Sequence, residues 1–147
     1  MKIDDIKIKL KDIQITPFNE DKLEDKNDIM YLYYTLEFTS KKEIITFDAY
    51  DFPVIQHLSG MVEEVEKSKA WKYGKGEYFT AIYESPFGME HHLRLNKFIL
   101  SEDKIWYNLH IYNSFGKSVL LEYLSKEELD GIVVYVEKKI QKAIDEY

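Results

Sequence analysis

The residues from His91 to Leu124 constrain the fold more than any other stretch, because apolar and polar side chains alternate there through three segments joined by two short turns. A period of two is typical of β-strands that bury one face. A one-residue slip between paired strands would move every side chain to the opposite face, so the register that keeps the aliphatic rows together is favoured. The sequence therefore predicts a three-stranded antiparallel meander.

That register assigns partners across each turn. The first and second strands are predicted to be connected by a three-residue loop of Ser101, Glu102 and Asp103. The second and third are predicted to be connected by a Ser114-Phe115-Gly116 loop, whose glycine suits the left-handed position of such a hairpin. The predicted pairs across the first turn are Arg94 with His110, Asn96 with Asn108 and Phe98 with Trp106. Those across the second are Leu109 with Leu121, Tyr107 with Tyr123, Ile111 with Val119, His110 with Leu120, Asn108 with Glu122 and Trp106 with Leu124.

The two faces of this meander differ in chemistry. One is aliphatic and is predicted to be core. The other, here called the polar-aromatic face, consists of Arg94, Asn96, Phe98, Trp106, Asn108, His110, Tyr112 and Glu122, with Leu124 expected at the end that holds Phe98 and Trp106. Tryptophan, tyrosine and arginine are the residue types that most often anchor protein interfaces, so we predict that this face binds a partner. Ordinary cross-strand pairs on a solvated sheet are the alternative interpretation.

The rest of the chain predicts further strands and two helices. Ile6 to Ile15 forms one long strand with a bulge or two short strands ended by Pro17, and Met30 to Phe38 pairs with Ile45 to Phe47. Trp71 to Gly76 is predicted as a loop before a strand from Tyr78 to Tyr83. The turn predicted at Ser85-Pro86-Phe87-Gly88 then leads into the meander.

Apolar residues recur at helical spacing in two places. The first stripe follows Phe52-Pro53 and is Val54, Ile55, Leu58, Met61, Val62 and Val65. The second follows a capping box of Ser125 and Glu128 and is Leu129, Ile132, Val133, Val136, Ile140, Ala143 and Ile144. These elements predict an α+β fold: one domain over residues 1–147, an antiparallel sheet of about six strands, and two amphipathic helices packed against it.

An acidic segment from Asn19 to Asp28 separates the first two strands. It carries Glu20, Asp21, Glu24 and Asp25 and only one apolar residue, which is typical of an exposed loop. A solvated connection is the simpler interpretation, and an acidic docking loop is the alternative. We call these residues the acidic loop.

Composition limits the classes of partner. The 147 residues hold 20 Lys and Arg against 27 Asp and Glu, a net charge of -7, which argues against nucleic acid or an anionic membrane as the main partner. The chain has no cysteine, which fits a reducing cytoplasm and excludes thiolate metal sites. Neither a secretory signal nor an apolar run of membrane-spanning length is recognisable. We expect a cytoplasmic protein, with a monomer favoured.

No motif predicts catalysis, a cofactor or a metal. Glu90-His91-His92 places its two histidines on opposite faces of a strand, His57 has no partner one turn away, and Gly74-Lys75-Gly76 lacks the spacing of a phosphate loop. His110 could work with Glu122 and Arg94 in acid–base chemistry, but no nucleophile is positioned beside it by a motif.

The order of elements resembles a known family. The tract Tyr33 to Phe38, a short strand, a helix from Phe52 to Glu64, and a meander that ends in Leu124-Ser125-Lys126-Glu127-Glu128-Leu129 are similar to the WapI-type immunity proteins of bacterial polymorphic toxin systems. The resemblance implies a protein that neutralises a toxin domain by binding it, without catalysis or cofactor. It implies no catalytic residues in this chain.

The resemblance and the charge together predict a non-enzymatic protein that binds a basic toxin domain, such as a nuclease, through the polar-aromatic face or the acidic loop. Two alternatives stay open. One is a small-ligand-binding or enzymatic domain with a pocket around His110, Glu122 and Arg94; the other is a subunit of a larger assembly.

Overall fold

The computed structural model describes residues 6–51, 53–67, 71–73, 76–84, 91–101 and 104–147. Its class is α+β, as predicted. The elements in chain order are β1 (Ile6–Pro17), β2 (Ile29–Ser40), β3 (Ile44–Phe47), α1 (Leu58–Lys67), β4 (Trp71–Tyr73), β5 (Gly76–Glu84), β6 (His91–Ser101), β7 (Lys104–Asn113), β8 (Ser118–Leu124) and α2 (Lys126–Asp145).

The strands form two antiparallel sheets, so the prediction of a single sheet of about six strands is wrong. Within the described residues, one sheet has the order β1-β2-β3 and the other the order β4-β5-β6-β7-β8. The sheets separate because the chain after β3 turns into short 3-10 segments and then α1, and β5 pairs with β6 instead of returning to β3. The segment Trp71–Tyr73, predicted as loop, pairs as an edge strand with the start of β5.

Both sheets and both helices share one hydrophobic core. Its most deeply buried members come from every layer: Leu10, Tyr34, Leu36, Phe47, Leu58, Val65, Leu93, Leu95, Leu109, Leu121, Leu124 and Leu129. The helices lie on the aliphatic face of the five-stranded sheet. Glu66 of α1 marks this side, because its carboxylate accepts hydrogen bonds from Lys97 Nζ at 2.6 Å and Tyr107 Oη at 2.8 Å.

The N-terminal strand is the bulged strand that was one of two alternatives from sequence. Its register with β2 shifts between Lys11 and Gln14, and Asp12 adopts a φ of 55° at the shift. One extra residue on a strand changes which face later side chains occupy, which explains why the apolar parity moves from Leu10 to Ile13. The strand ends at Pro17, as predicted.

The two helices begin differently. The prediction that the first α-helix starts at Phe52-Pro53 is wrong: Ile55–His57 is a 3-10 turn and α1 starts at Leu58, while Phe52 lies outside the described residues. The second prediction is confirmed, since Ser125 Oγ accepts from the Glu128 amide and Glu128 Oε1 accepts from the Ser125 amide, both at 3.0 Å. Neither helix in the described part of the chain combines the length and apolar character that a bilayer crossing requires.

The β7–β8 turn makes hydrogen bonds to the first sheet and to the segment that follows it. Lys117 Nζ donates to the Thr46 carbonyl at 2.8 Å and to Asp51 Oδ2 at 2.7 Å. Thr46 lies in β3 of the first sheet, and Asp51 lies in the short 3-10 segment that follows β3. Asn113 is buried and its Oδ1 accepts from the amides of Phe115 and Lys117, which holds the turn. Gly116 has a φ of 88°, as predicted for the glycine of this hairpin.

Candidate protein-binding face

The polar-aromatic face is the surface of the five-stranded sheet that points away from both helices. The register between β6 and β7 agrees with prediction: Arg94 pairs with His110, Asn96 with Asn108, and Phe98 with Trp106. The structure therefore brings these six residues together on one face. Ser101, predicted to lie in the loop, instead pairs with Lys104 at the end of β6, and residues 102–103 lie outside the described part. Ile105 belongs to the aliphatic row of β7 that is predicted to be core, but it is 41% exposed at this end of the sheet.

The register with β8 holds only in part. Leu109 pairs with Leu121, His110 with Leu120 and Ile111 with Val119, as predicted, but Tyr107 pairs with Leu124. The predicted pairs Tyr107 with Tyr123 and Trp106 with Leu124 are therefore wrong. Asn108, predicted to pair with Glu122, lies at the register shift, where both Glu122 and Tyr123 fall between the partners of Leu109 and Tyr107. A bulge is the cause: Tyr123 has a φ of 58°, and its amide donates to Asn108 Oδ1 at 3.0 Å. Leu124 consequently enters the core, and Tyr123 takes its predicted place at the surface.

Four aromatic rings cross the face in a row, one from each of four strands. Phe98 lies between Tyr78 and Trp106, with ring centroids 5.2 and 6.0 Å apart, and Trp106 lies 5.7 Å from Tyr123. Tyr123 is 59% exposed. Sequence reasoning included Phe98 and Trp106 but missed Tyr78 and Tyr123. The alternation of β5 could have indicated Tyr78, whereas Tyr123 depends on the bulge.

A second group of rings lies at the other end of the face. Tyr112 is stacked between His92 and His110, with centroid distances of 4.7 and 4.2 Å. Arg94 is directly across from His110, and burial together with the Arg94 charge lowers the pKa of His110. Arg94 Nε is shielded from solvent and makes no hydrogen bond, and no carboxylate of the described residues pairs with this guanidinium.

The remaining predicted residues differ in whether their polar side chains already make hydrogen bonds within the sheet. Asn96 Oδ1 accepts from Tyr78 Oη and Thr80 Oγ1 at 2.8 and 2.9 Å, and Asn108 holds the β8 bulge. Both asparagines thus stabilise the sheet itself. Glu122 is half-buried beside the bulge. Aromatic rings and Arg94 are therefore the groups on this face best placed to meet a partner.

The acidic loop is exposed and closed by its own hydrogen bonds. The Phe18 amide donates to the Asp28 carbonyl at 3.0 Å, and Asp28 Oδ2 accepts from the amides of Glu24 and Asp25. These backbone hydrogen bonds lower the pKa of Asp28. The loop contacts α2 through Lys26 and Glu137, 3.3 Å apart. Because α2 covers the aliphatic side of the five-stranded sheet, the acidic loop and the polar-aromatic face lie on different sides of the molecule.

A cavity of about 760 Å³ lies elsewhere, beside β2, α2 and the segment before α1. His57 lines it and stacks on Tyr83 with ring centroids 3.8 Å apart. Burial, with a smaller effect of the Lys26 charge, lowers the pKa of His57. Neither this cavity nor a smaller one of about 230 Å³ includes Arg94, His110 or Glu122, so the pocket suggested for these three residues is not formed at either cavity.

The face holds one pair of groups that resembles a nucleophile and its base. His110 Nε2 and Ser118 Oγ are 2.6 Å apart. Among the described residues, Glu122, the carboxylate expected near His110, makes no hydrogen bond or ion pair with it, and the His110–Ser118 pair lies on the surface of the sheet. Among the described residues, no group of three His, Asp or Glu side chains could hold a metal ion.

Comparison of the chain with protein-family models, with curated proteins and with solved structures finds no significant match.

Proposed function

We propose that this chain is a non-enzymatic immunity protein of WapI type that neutralises a bacterial toxin domain by binding it through the polar-aromatic face. The observation that carries the proposal is the row of Tyr78, Phe98, Trp106 and Tyr123 on a sheet surface that neither helix covers. Packed aromatic side chains offer a large apolar area that is already ordered. Burial of this area against a partner therefore costs little side-chain entropy.

Arg94 supports the same surface as a contact. Its Nε is removed from water without a hydrogen bond, which costs free energy in the unbound protein. A carboxylate or carbonyl group of a partner that engaged this guanidinium would add a charge-assisted hydrogen bond to the interface. Arginine, tryptophan and tyrosine are the residue types enriched in interface hot spots.

The net charge of -7 favours a basic toxin, but charge and the polar-aromatic face affect different steps of binding. Arg94 and Glu122 contribute opposite charges there, whereas the four carboxylates of the acidic loop, Glu20, Asp21, Glu24 and Asp25, are all exposed. The overall charge would therefore steer a basic domain during approach, and the aromatic row would determine how long the complex lasts. Rising ionic strength should slow association much more than it speeds dissociation.

The experiment pairs this chain with the toxin domain encoded beside its gene. Co-expression should restore growth, and the purified proteins should form a stoichiometric complex. Trp106→Ala and Arg94→Ala should each weaken the complex by about 30-fold or more, as expected of hot-spot residues. The matched controls are Tyr147→Ala and Lys138→Ala, both exposed on or after α2, and they should leave affinity unchanged.

Two outcomes would contradict the proposal at different levels. If the complex forms but only Glu20→Gln, Asp21→Asn and Glu24→Gln weaken it, the immunity function stands and the face is wrong. If the chain neither binds the toxin nor protects cells, the function itself is wrong. Labelling of Ser118 by a serine-directed phosphonate would instead favour an enzyme that uses the Ser118–His110 pair.

A further inference from the structure

The cavity of about 760 Å³ beside β2 has the dimensions of a site for a small organic molecule. Cavities that hold such molecules measure roughly 300–1,000 Å³ and are lined mainly by apolar and aromatic side chains. Tyr34, Val54 and Ile140 line this cavity and are buried, whereas Lys26 and Tyr31 line it and are exposed. The cavity therefore extends from the surface to the hydrophobic core, and a ligand inside it would bury much of its own area.

Two pairs of stacked rings lie in the wall of the cavity. Tyr31 and Tyr33 of β2 have ring centroids 6.3 Å apart and an angle of 18° between the ring planes. His57 and Tyr83 have centroids 3.8 Å apart and an angle of 21°. A flat aromatic ring packs on such side chains in offset or edge-to-face arrangements, which adds to the free energy of burying its area. The wall therefore favours a ligand that contains aromatic rings.

The charge of the cavity wall favours an anion. Among the described residues that line the cavity, Lys26 carries a full positive charge and none is Asp or Glu. His57 and Asn27 also line it, and each has a side-chain N–H that can donate a hydrogen bond. The Lys26 charge contributes to the lowered pKa of His57, so the two groups are within electrostatic reach of each other. A ligand carboxylate beside Lys26 would gain a charge-assisted hydrogen bond, and a ligand amine would be repelled.

The acidic groups nearest to Lys26 do not line the cavity. The Asp25 carboxylate accepts from the Asn27 amide at 2.8 Å, and Asp28 Oδ2 accepts from the amides of Glu24 and Asp25. Glu137 of α2 lies 3.3 Å from the Lys26 amine, in a pair whose side chains are 54% exposed for Lys26 and 34% for Glu137. Exposed ion pairs are weak and an ammonium group has three donors, so Lys26 can contact a ligand anion while it stays close to Glu137.

We propose that this cavity binds a small aromatic carboxylic acid, with its rings against the tyrosine-lined wall and its carboxylate beside Lys26. The stacked rings supply the area for the apolar part of the ligand, and Lys26 selects the anion. The site is separate from the polar-aromatic face and does not rest on the toxin assignment.

The first experiment compares three probes that share one ring system and differ in charge. They are the anion biphenyl-4-carboxylate, the neutral biphenyl-4-carboxamide and the cation 4-phenylbenzylammonium. Titration calorimetry on the full chain near neutral pH measures each affinity. The carboxylate should bind about tenfold or more tightly than the amide, and the ammonium should bind more weakly than the amide. If the ammonium binds as tightly as the carboxylate, the cavity does not select an anion and the proposal is wrong.

Two variants change the charge beside the ligand in opposite directions. Lys26→Met removes the cation and should weaken carboxylate binding by about tenfold, whereas Glu137→Gln removes the neighbouring anion and should strengthen it roughly threefold. Neither should change the affinity for the amide. Lys138→Met makes the same exchange at an exposed position of α2 outside the cavity, so it is the matched control and should change none of the affinities. Carboxylate binding that is equally tight in the Lys26→Met protein would contradict the proposal.

NMR spectroscopy locates the bound carboxylate. The ring signals of His57 and Tyr83 should shift on binding, and those of His110 should not. Arg94 on the polar-aromatic face also combines a cation with nearby rings, so Arg94→Ala is measured as well and should leave carboxylate binding unchanged. If Arg94→Ala abolishes binding and the His57 signals do not move, the acid binds to that face and the cavity proposal is wrong. If none of the three probes binds, the cavity is not a site for aromatic acids.

Discussion

Two histidines in this molecule have lowered pKa values for the same pair of reasons. Burial is the larger cause for both His57 and His110, and a nearby cation adds to it: Lys26 for His57 and Arg94 for His110. Both effects disfavour the charged imidazolium. His57 lines the cavity beside β2, and His110 lies on the polar-aromatic face. Because different cations act on the two histidines, each serves as the control for the other.

Arg94→Ala should raise the pKa of His110 and leave that of His57 unchanged, and Lys26→Ala should do the reverse. NMR titration of the imidazole protons measures both. Because the folded pKa of His110 lies below its ordinary value of 6.5, its neutral form contributes full stability above about pH 6.5, and stability falls as the pH decreases below that value. The Arg94→Ala protein should show a weaker fall. An unchanged pKa of His110 would contradict the proximity of the two side chains.

Glu66 is the carboxylate that ties α1 to the five-stranded sheet. Burial raises its pKa, but hydrogen bonds from Lys97 and Tyr107 and the Lys97 charge outweigh burial, so the pKa lies below its ordinary value. Its contribution to stability is therefore present above about pH 4.5 and lost as the pH falls through the folded pKa. Lys97 is only 12% exposed at its side chain, so loss of the carboxylate leaves it poorly solvated.

Glu66→Ala should lower the free energy of unfolding by about 1 kcal/mol near pH 7, since the charge-assisted hydrogen bond to Lys97 is lost, and the 38% exposure of the Glu66 side chain limits the effect. Glu63→Ala, on the exposed side of the same helix, should change it by less than about 0.5 kcal/mol. Urea unfolding at several pH values measures both. The difference between the two variants should vanish in acid, and a difference that persists there would show that the effect is not electrostatic.

At the scale of elements, two glycines illustrate how local geometry decides the sign of one substitution. Gly116 has a φ of 88° in the β7–β8 turn, and Gly131 lies inside α2; a Cβ atom at either position would meet nothing within 4 Å. An added methyl group therefore has room at both positions, and only the backbone conformation differs between them. Alanine is strained at the positive φ of the turn and favourable in a helix.

Gly116→Ala should destabilise the protein by about 1–2 kcal/mol, and Gly131→Ala should stabilise it by about 0.5–1 kcal/mol. Thermal unfolding of the two variants and the parent protein measures the difference. The pair controls for side-chain size, since the added methyl group is the same. Equal signs for the two variants would contradict the assigned turn or helix geometry.

The elements themselves could be predicted where pattern and turn chemistry agree. The β6–β7 pairing followed from alternation, and the start of α2 followed from Ser125 and Glu128, because both depend on neighbours within a few residues or on a strict period of two. The predictions failed where the backbone departs from regularity. The bulge at Tyr123 reverses the faces of Tyr123 and Leu124, and neither side chain is of a type that predicts a positive φ.

At the scale of the whole molecule, three hydrogen bonds among the described residues connect the β7–β8 hairpin to β3 and the segment after it. Lys117 reaches from the β7–β8 turn to Asp51 and Thr46, and its amine lies 5.7 Å from the centre of the Phe47 ring. Asn113 Nδ2 donates to the other Asp51 oxygen at 3.5 Å. Asp51 is therefore shared by two donors of the second sheet, and its removal leaves both without this acceptor.

A double-mutant cycle of Asp51→Ala and Lys117→Met should give a coupling energy of about 1–2 kcal/mol. The same cycle on Lys126 and Asp130, an exposed pair 2.5 Å apart within α2, should give about 0.3–0.5 kcal/mol. Chemical denaturation measures both cycles. Equal coupling in the two pairs would show that the contact between the sheets is no more than a surface ion pair.

The sequence by itself determined the α+β class, the register between β6 and β7, the capped second helix and the chemical character of the polar-aromatic face. Each of these follows from hydrophobic periodicity or from hydrogen bonds between residues close in the chain. Only the tertiary structure decided that the strands form two sheets, that Tyr78 and Tyr123 complete the aromatic row, and that a cavity lies beside β2 and α2. Those features depend on which distant segments pair and on where a strand contains a bulge. Backbone hydrogen bonds determine both, and they leave no recognisable pattern of side chains in the sequence.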